Sequence, residues 1–298
     1  MARVIYLHAR PKGCADWRPH GRTLDVLAQV EEVLEQYAEH WPLTLRQIFY
    51  RLVALYGYEK TERAYKRLGE YLTRARRAGR VPWEAMRDDG WVQAESGGWR
   101  GPEHFGRAVL EAARGYVRDK QAGQPRHLVL LVEAAGMVPQ LRQAANPFSV
   151  PVMSSSGFDS LTVKKRLADQ VLAELPRPTV FLHVGDLDPS GVCIFDAVRA
   201  DVEAFVGVAG TVYFERVALT PEQVRRYGLP TAPPKPTDKR GESMEETCQA
   251  EALPPDVLLG IVREAIEANT DSARFEEDLE LEKAEREEVL RRLGTCRE

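Results

Sequence analysis

The chain has too few cysteines, spaced too widely, to build a disulfide framework or a structural zinc site. No Cys-x-x-Cys pair occurs in the sequence. Small secreted domains and zinc-ribbon proteins both need paired cysteines, so these two classes are excluded. This cysteine usage is typical of a reducing compartment, and we expect a cytoplasmic protein. The cysteines are Cys14, Cys193, Cys248 and Cys296.

Long apolar runs are also absent. No stretch reaches the ~18 apolar residues that a membrane-spanning helix needs, so we expect no membrane association. The opening MARVIYLHARPKG has a short apolar run and an early second charge, unlike a signal peptide. A GxxxxGK[ST] phosphate-binding loop is missing as well, so any use of ATP would have to come from another chain.

What the sequence does contain is a strong separation of charge. The composition, 44% hydrophobic and 29% charged, is that of a globular protein, and 298 residues allow one large domain or two ordinary ones. Residues 1–126 contain 22 Lys and Arg against 16 Asp and Glu, whereas residues 127–298 contain 19 against 29. A basic part followed by an acidic part indicates a polyanion partner. We therefore expect two domains, 1–126 and 127–298.

The basic part contains three amphipathic stretches that predict helices. The second is bracketed by Thr44, which we predict to be its N-cap, and Gly57, which we predict to end it. The third, TERAYKRLGEYLTRARRAGR, is rich in arginine, and VPWEAMRDDGWVQ follows it. Three short helices and an extended segment predict a winged-helix-like domain that binds double-stranded DNA. A solvated helix face is the alternative, but few acidic neighbours are available for pairing. The candidate DNA contacts are Arg51, Arg74, Arg76, Arg77 and Arg80.

The acidic part alternates between apolar runs and helical patterns. The apolar runs HLVLLV, FSVPVM, PTVFLHV and TVYFERV are separated by amphipathic stretches. Such alternation predicts an α/β fold with a doubly wound parallel sheet. Ligands of such sheets bind outside the carboxyl ends of the strands.

Three carboxylates stand at those predicted strand ends. Glu133 follows the first apolar run, and Asp186 and Asp188 follow the third, within HVGDLDPSG. If both strands are central, the three side chains converge and require a cation between them. Oxygen ligands of this kind favour Mg²⁺, with Mn²⁺ as a substitute. The alternative is a simple turn, because Asp, Pro, Ser and Gly are common in turns.

These motifs resemble a known family. LVLLVE followed by VGDLDPSG resembles the Toprim domain, and DLDPSG is most similar to the form in the A subunit of topoisomerase VI and the meiotic double-strand-break transesterase. SSSGFDSLTVKKRL is similar to the loop and helix after the second Toprim strand. RQIFYR at 46–51 is similar to the family's segment around its catalytic tyrosine. The chain departs from the family pattern at Ala134, where lysine is frequent, and is shorter than a typical A subunit.

The resemblance implies a winged-helix-like domain followed by a Toprim domain in a compact type IIB topoisomerase A subunit. It implies that Tyr50 is the nucleophile, with Arg46 and Glu133 in the catalytic site and Glu133, Asp186 and Asp188 holding the metal. It also implies a homodimer in which the tyrosine of one subunit meets the metal site of the other. A separate ATPase B subunit is the further partner that it implies.

Two other functions remain open at this point. One is a Toprim nuclease, of a plasmid or phage defence type, in which water attacks the phosphate and Tyr50 only packs. The other is a DNA-binding scaffold without catalysis. Two segments carry further expectations: 229–255, rich in proline and polar residues, is expected to be mobile, and 271–298 is expected to be a solvated tail helix.

Overall fold

The structure, a computed structural model, describes residues 16–87, 98–154, 161–234, 244 and 246–295. They form a mixed α/β protein that is mostly helical and contains a four-stranded parallel sheet. The chain divides into two compact units, Met1–Asp89 with Glu251–Asp256 and Gly90–Ala250 with Val257–Glu298. None of the helices in the described part of the chain has the length and apolarity needed to cross a membrane.

Three helices pack together in the first unit. They are α1 (Arg22–Gln36), α2 (Leu45–Tyr56) and α3 (Glu62–Arg77). In α1 and α3 the buried residues recur at three- and four-residue spacing, which places apolar side chains on one stripe of each helix, whereas in α2 residues 47–52 are all buried. Burial of these stripes against one another forms the core of the unit.

The ends of α2 confirm the signals in the sequence. Thr44 Oγ1 accepts a hydrogen bond from the N–H of Gln47 at 3.1 Å, and the Gln47 side chain accepts one from the N–H of Thr44 at 2.9 Å. This capping box satisfies donors that the first turn leaves without partners. Gly57 ends the helix with φ of 63°, a left-handed conformation that favours glycine.

A short strand pair accompanies the three helices. Strands β1 (Leu43–Thr44) and β2 (Met86–Arg87) pair in parallel. The segment that was expected to form a wing contains a 3₁₀ turn at Trp83–Ala85 before β2. The rest of that expected wing, residues 88–93, lies outside the described residues.

The second unit is built around the four-stranded sheet, with the order β4-β3-β5-β6 and all neighbours parallel. The inner strands are almost wholly buried, and both of their faces are covered, as their continuous apolar sequence requires. The expected parallel sheet is confirmed, and β3 and β5 are its central strands. The strands are β3 (His127–Val132), β4 (Val152–Ser154), β5 (Thr179–Val184) and β6 (Val212–Ala218).

Seven further helices follow in chain order within the described residues. On one face of the sheet, Val129 and Phe181 pack against Leu167 of α6 and Val202 of α7 in a continuous buried cluster. The helices are α4 (Pro102–Arg114), α5 (Val138–Ala145), α6 (Leu161–Ala173), α7 (Pro189–Val206), α8 (Pro221–Arg226), α9 (Pro255–Ala268) and α10 (Ser272–Thr295).

The last helix, α10, is not the solvated tail that was expected. Its Asp278 is 0% exposed and pairs with Arg118 Nε at 2.8 Å, and its Glu282 pairs with buried Lys120. Buried carboxylates with charged partners anchor the helix. A search of the sequence for an apolar stripe does not detect such an anchor. Because Arg118 and Lys120 belong to this packing, the segment before β3 lies in the second unit, whereas the expected boundary followed residue 126.

Candidate functional site

The three carboxylates expected at the sheet edge do lie at the same edge. Val132 of β3 is paired with Val184 of β5, and Glu133 follows directly, its N–H donating to the Val184 carbonyl at 2.9 Å. Asp186 and Asp188 follow β5 after Gly185. The parallel register therefore ends both central strands at one level and places the acidic residues beside each other.

Gly191 lies against all three acidic residues. A β-carbon at Gly191 would lie 3.2 Å from Glu133 Oε2, 3.2 Å from Asp188 Oδ1 and 2.8 Å from the Asp186 carbonyl oxygen. A side chain at this position would meet two carboxylates and a backbone atom at once. Glycine thus permits the close approach of the three acidic residues.

Each carboxylate has an oxygen engaged by a backbone N–H. Glu133 Oε2 accepts from Asp186 at 3.0 Å, and Asp188 Oδ1 accepts from Gly191 at 2.6 Å as the N-cap of α7. Asp186 Oδ1 accepts from Ala250 at 2.9 Å. Backbone donors stabilise the ionised form of a carboxylate and fix its orientation. We call residues 185–188 the acidic loop.

A second segment holds the acidic loop from outside the sheet. Leu187 and Cys248 exchange backbone hydrogen bonds at 2.8 and 2.9 Å, and Ala232 and Thr247 exchange another pair at 2.9 and 2.7 Å. We call residues 246–250 the strap. The segment 229–255 was expected to be mobile, and the strap corrects this for part of it, because its backbone donors and acceptors are paired with ordered partners. Residues 235–243 and 245 lie outside the described residues.

The charge of the cluster acts on Glu133. Burial raises the pKa of Glu133, and the charges of Asp186 and Asp188 raise it further, whereas the Asp186 N–H and the Arg216 charge oppose the rise. His183, 3% exposed, adds no positive charge at neutral pH, because burial and the nearby Arg216 lower its pKa to about 3. The excess of negative charge here is what a bound cation would relieve.

Arg216 of β6 is a functional candidate that the sequence analysis missed. Its Nε donates to the Leu219 carbonyl at 3.1 Å, and its Nη2 donates to the carbonyls of Gly185, at 3.3 Å, and Asp186. A signal was present in the strand pattern, since Arg216 falls in the same alternating phase as Val212 and Phe214, which pack on the core. A charged residue in a core-facing phase indicates a dedicated partner.

The donor set suits a hard divalent cation, although the side chains do not surround a single point. Carboxylate oxygens are the ligands that Mg²⁺ and Mn²⁺ prefer. In the part of the chain that the structure describes, no group of three or more His, Cys, Asp or Glu side chains has an arrangement that could hold a metal ion. The three carboxylates therefore match a divalent cation in donor chemistry and in charge, and the cation would have to draw them together.

Tyr50 and Arg46 belong to α2 in the first unit. Tyr50 is 6% exposed, its ring contacts Phe49 edge-on at a centroid distance of 5.4 Å, and Lys60 Nζ lies 5.7 Å from the centroid of the Tyr50 ring. Arg46 is more open, with 41% of its side chain exposed, and its Nη1 lies 3.9 Å from Glu251 Oε2. Tyr50 thus has the burial of a packing residue, with a cation beside its ring.

The candidate DNA contacts separate into two groups. Arg51 is 4% exposed and donates to the Ala252 carbonyl, so we correct its assignment from a DNA contact to a buried packing residue. On or just after α3, Arg74 and Arg80 are exposed, whereas Arg77 is half-buried. Arg76 is also half-buried, and its guanidinium lies 4.6 Å from the centroid of the Trp83 ring.

Comparisons with known proteins add no assignment. No family model matches the chain, and neither the curated proteins nor the solved structures contain a match.

Proposed function

We propose that this protein cleaves DNA by a divalent-cation-dependent phosphoryl transfer, in the manner of a compact type IIB topoisomerase A subunit. The observation that carries the proposal is that Glu133, Asp186 and Asp188 follow two adjacent central strands at the same edge of the sheet. Three carboxylates at one sheet edge are costly without a cation and useful with one.

In this proposal the three carboxylates hold Mg²⁺ or Mn²⁺. Such an ion would neutralise charge on the phosphoryl group and on the leaving oxygen. Glu133, Asp186 and Asp188 would hold the ion, and the backbone N–H bound to one oxygen of each carboxylate would keep the side chain oriented toward it.

The proposed nucleophile is the hydroxyl oxygen of Tyr50. It attacks phosphorus, the bond to the 3′ oxygen breaks, and the phenolic proton passes to that leaving oxygen. The product is a 5′-phosphotyrosyl end, and the reverse reaction reseals the strand without external energy. Tyrosine has a pKa of ~10 and needs help to react, which neighbouring cations such as Arg46 supply by favouring the phenolate.

A second candidate function is favoured by the burial of Tyr50. At 6% exposure, its side chain packs as an ordinary core aromatic would. If it only packs, the acidic site would serve a hydrolytic nuclease in which water is the nucleophile. This alternative keeps the cation and the DNA and removes the covalent intermediate.

The test is cleavage of supercoiled plasmid in Mg²⁺ or Mn²⁺, stopped with detergent and analysed with and without protease. The variants are Tyr50→Phe and Asp186→Asn, with Tyr65→Phe as the matched control. Tyr65 also contacts Phe49, at a centroid distance of 5.3 Å, so its loss of a hydroxyl perturbs the same aromatic cluster.

We expect cut DNA that protease must release from protein, abolished in Tyr50→Phe and Asp186→Asn and retained in Tyr65→Phe. Cleavage that persists in Tyr50→Phe and is lost in Asp186→Asn would establish the hydrolytic candidate. Cleavage unaffected by Asp186→Asn would exclude both.

A further inference from the structure

We infer that Arg216 is a positioning residue that fixes the backbone of the acidic loop, so that Asp186 and Asp188 stay beside Glu133. The inference rests on the proposed function, because the loop is taken there to hold a divalent cation. Arg216 itself is not a ligand, since a guanidinium has no acceptor atom to offer. It acts through the backbone that carries the ligands.

The geometry of the guanidinium supports this role. One planar group reaches three carbonyl oxygens, those of Gly185 and Asp186 in the acidic loop and that of Leu219 after β6. The loop is thereby tied to the end of the neighbouring strand. Two backbone hydrogen bonds of 2.8 Å, from Gly185 to the Ala218 carbonyl and from Leu219 to the Gly185 carbonyl, run alongside.

The sheet provides a local reason for the placement of Arg216. His183 pairs with Arg216, yet Val184 pairs with Ala218, so β6 has one extra residue at Val217. A bulge of this kind redirects side chains and is frequent next to active sites. Here it falls where β5 gives way to the acidic loop.

The shape of the guanidinium, more than its charge, is the property that this role requires. Lysine would keep the positive charge, but an ammonium group cannot reproduce the planar fork that reaches separate carbonyls. Charge alone acts in the opposite direction, because a cation beside the site repels a metal ion. If the shape matters, both Arg216→Lys and Arg216→Gln weaken metal binding, whereas if only the charge matters, Arg216→Lys binds normally and Arg216→Gln binds more tightly.

The experiment measures Mn²⁺ binding to the full-length protein by the loss of the free-ion paramagnetic resonance signal. Wild type is compared with Arg216→Lys, Arg216→Gln and Asp186→Asn. Arg226→Lys is the matched control, because Arg226 is exposed and its guanidinium lies against Tyr227. Melting temperatures without metal are recorded for every variant.

We expect both Arg216 variants to bind Mn²⁺ roughly 10- to 100-fold more weakly, the usual effect of losing a group that orients metal ligands. Arg226→Lys should bind as wild type does. Wild-type affinity in Arg216→Lys with tighter binding in Arg216→Gln would show that only charge matters and overturn the inference. A lower melting temperature with unchanged affinity, or failure of both variants to fold, would show a purely structural role and also overturn it.

The wild type could also fail to bind Mn²⁺, or bind it equally well when Asp186 is replaced by Asn. Either result would remove the metal site of the proposed function, and the positioning role with it. Mn²⁺ binding that requires Asp186 but is indifferent to Arg216 would remove the positioning role alone.

Discussion

At the scale of single residues, two glycines decide how closely the acidic groups approach. A β-carbon on Gly185 would lie 2.5 Å from His183 Cε1 and 2.6 Å from Glu133 Oε2, and one on Gly191 would lie 2.8 Å from the Asp186 carbonyl oxygen. Side-chain ends can rotate away, whereas a backbone carbonyl within a paired loop cannot. The constraint at Gly191 is therefore the stricter one.

We predict that Gly191→Ala displaces the acidic loop and weakens Mn²⁺ binding at least about tenfold, as the loss of ligand orientation does elsewhere. Titration with Mn²⁺ measures this effect. Gly260→Ala is the matched control, because a β-carbon at this position of α9 would meet nothing within 4 Å. The control should bind normally and gain about 0.5–1 kcal/mol of stability, since alanine is the better helix residue. Normal binding in Gly191→Ala would contradict the steric argument.

At the scale of elements, the strap completes the acidic loop with backbone groups alone. The Cys248 N–H and carbonyl pair with Leu187, and the Ala250 N–H holds Asp186 Oδ1. Main-chain donors do not depend on the identity of the side chain that they carry. What the strap must preserve is therefore the position of its backbone N–H and carbonyl groups beside the acidic loop.

We predict that Ala250→Pro weakens Mn²⁺ binding, because proline lacks the N–H that orients Asp186. Ala250 is the first residue of a short 3₁₀ helix, a position at which proline is compatible with the backbone. Ala250→Ser keeps the N–H and should bind Mn²⁺ as wild type does. Equal affinities in the two variants would mean that Asp186 does not need this donor.

At the scale of the whole molecule, the separation of charge predicts which part of the chain would bind a polyanion. Residues 1–126 have an excess of basic residues and residues 127–298 an excess of acidic ones. A phosphate backbone is attracted to the first and repelled by the second. DNA affinity should therefore depend on salt and on the exposed arginines near the end of α3.

We predict that the double variant Arg74→Gln/Arg80→Gln binds DNA more weakly and with a smaller salt dependence, by about one unit of slope for each phosphate that the protein no longer neutralises. Fluorescence anisotropy at several salt concentrations gives the slope. Arg225→Gln/Arg226→Gln removes the same charge from exposed positions on α8 and should leave the slope unchanged. Equal weakening in the two double variants would assign the effect to net charge alone.

The sequence predicted what depends on local pattern and missed what depends on distant partners. Helix periodicity and caps located α2 between Thr44 and Gly57, and the apolar runs located the strands and the acidic residues that follow them. Arg51 was assigned to DNA because a remote segment of the chain buries it, and the local sequence pattern does not show that packing. The roles of Arg216 and the strap were missed for the same reason, since their partners lie far away in the sequence.

The strap is the last contributor to the acidic loop to be synthesised. Glu133, Asp186 and Arg216 precede Ala250 in the chain, and domains fold as their residues leave the ribosome. A nascent chain that has not reached Ala250 can pair its four strands while Asp186 still lacks the amide that holds it. If the proposed DNA cleavage holds, this order of synthesis delays a fully oriented site until Ala250 has been made.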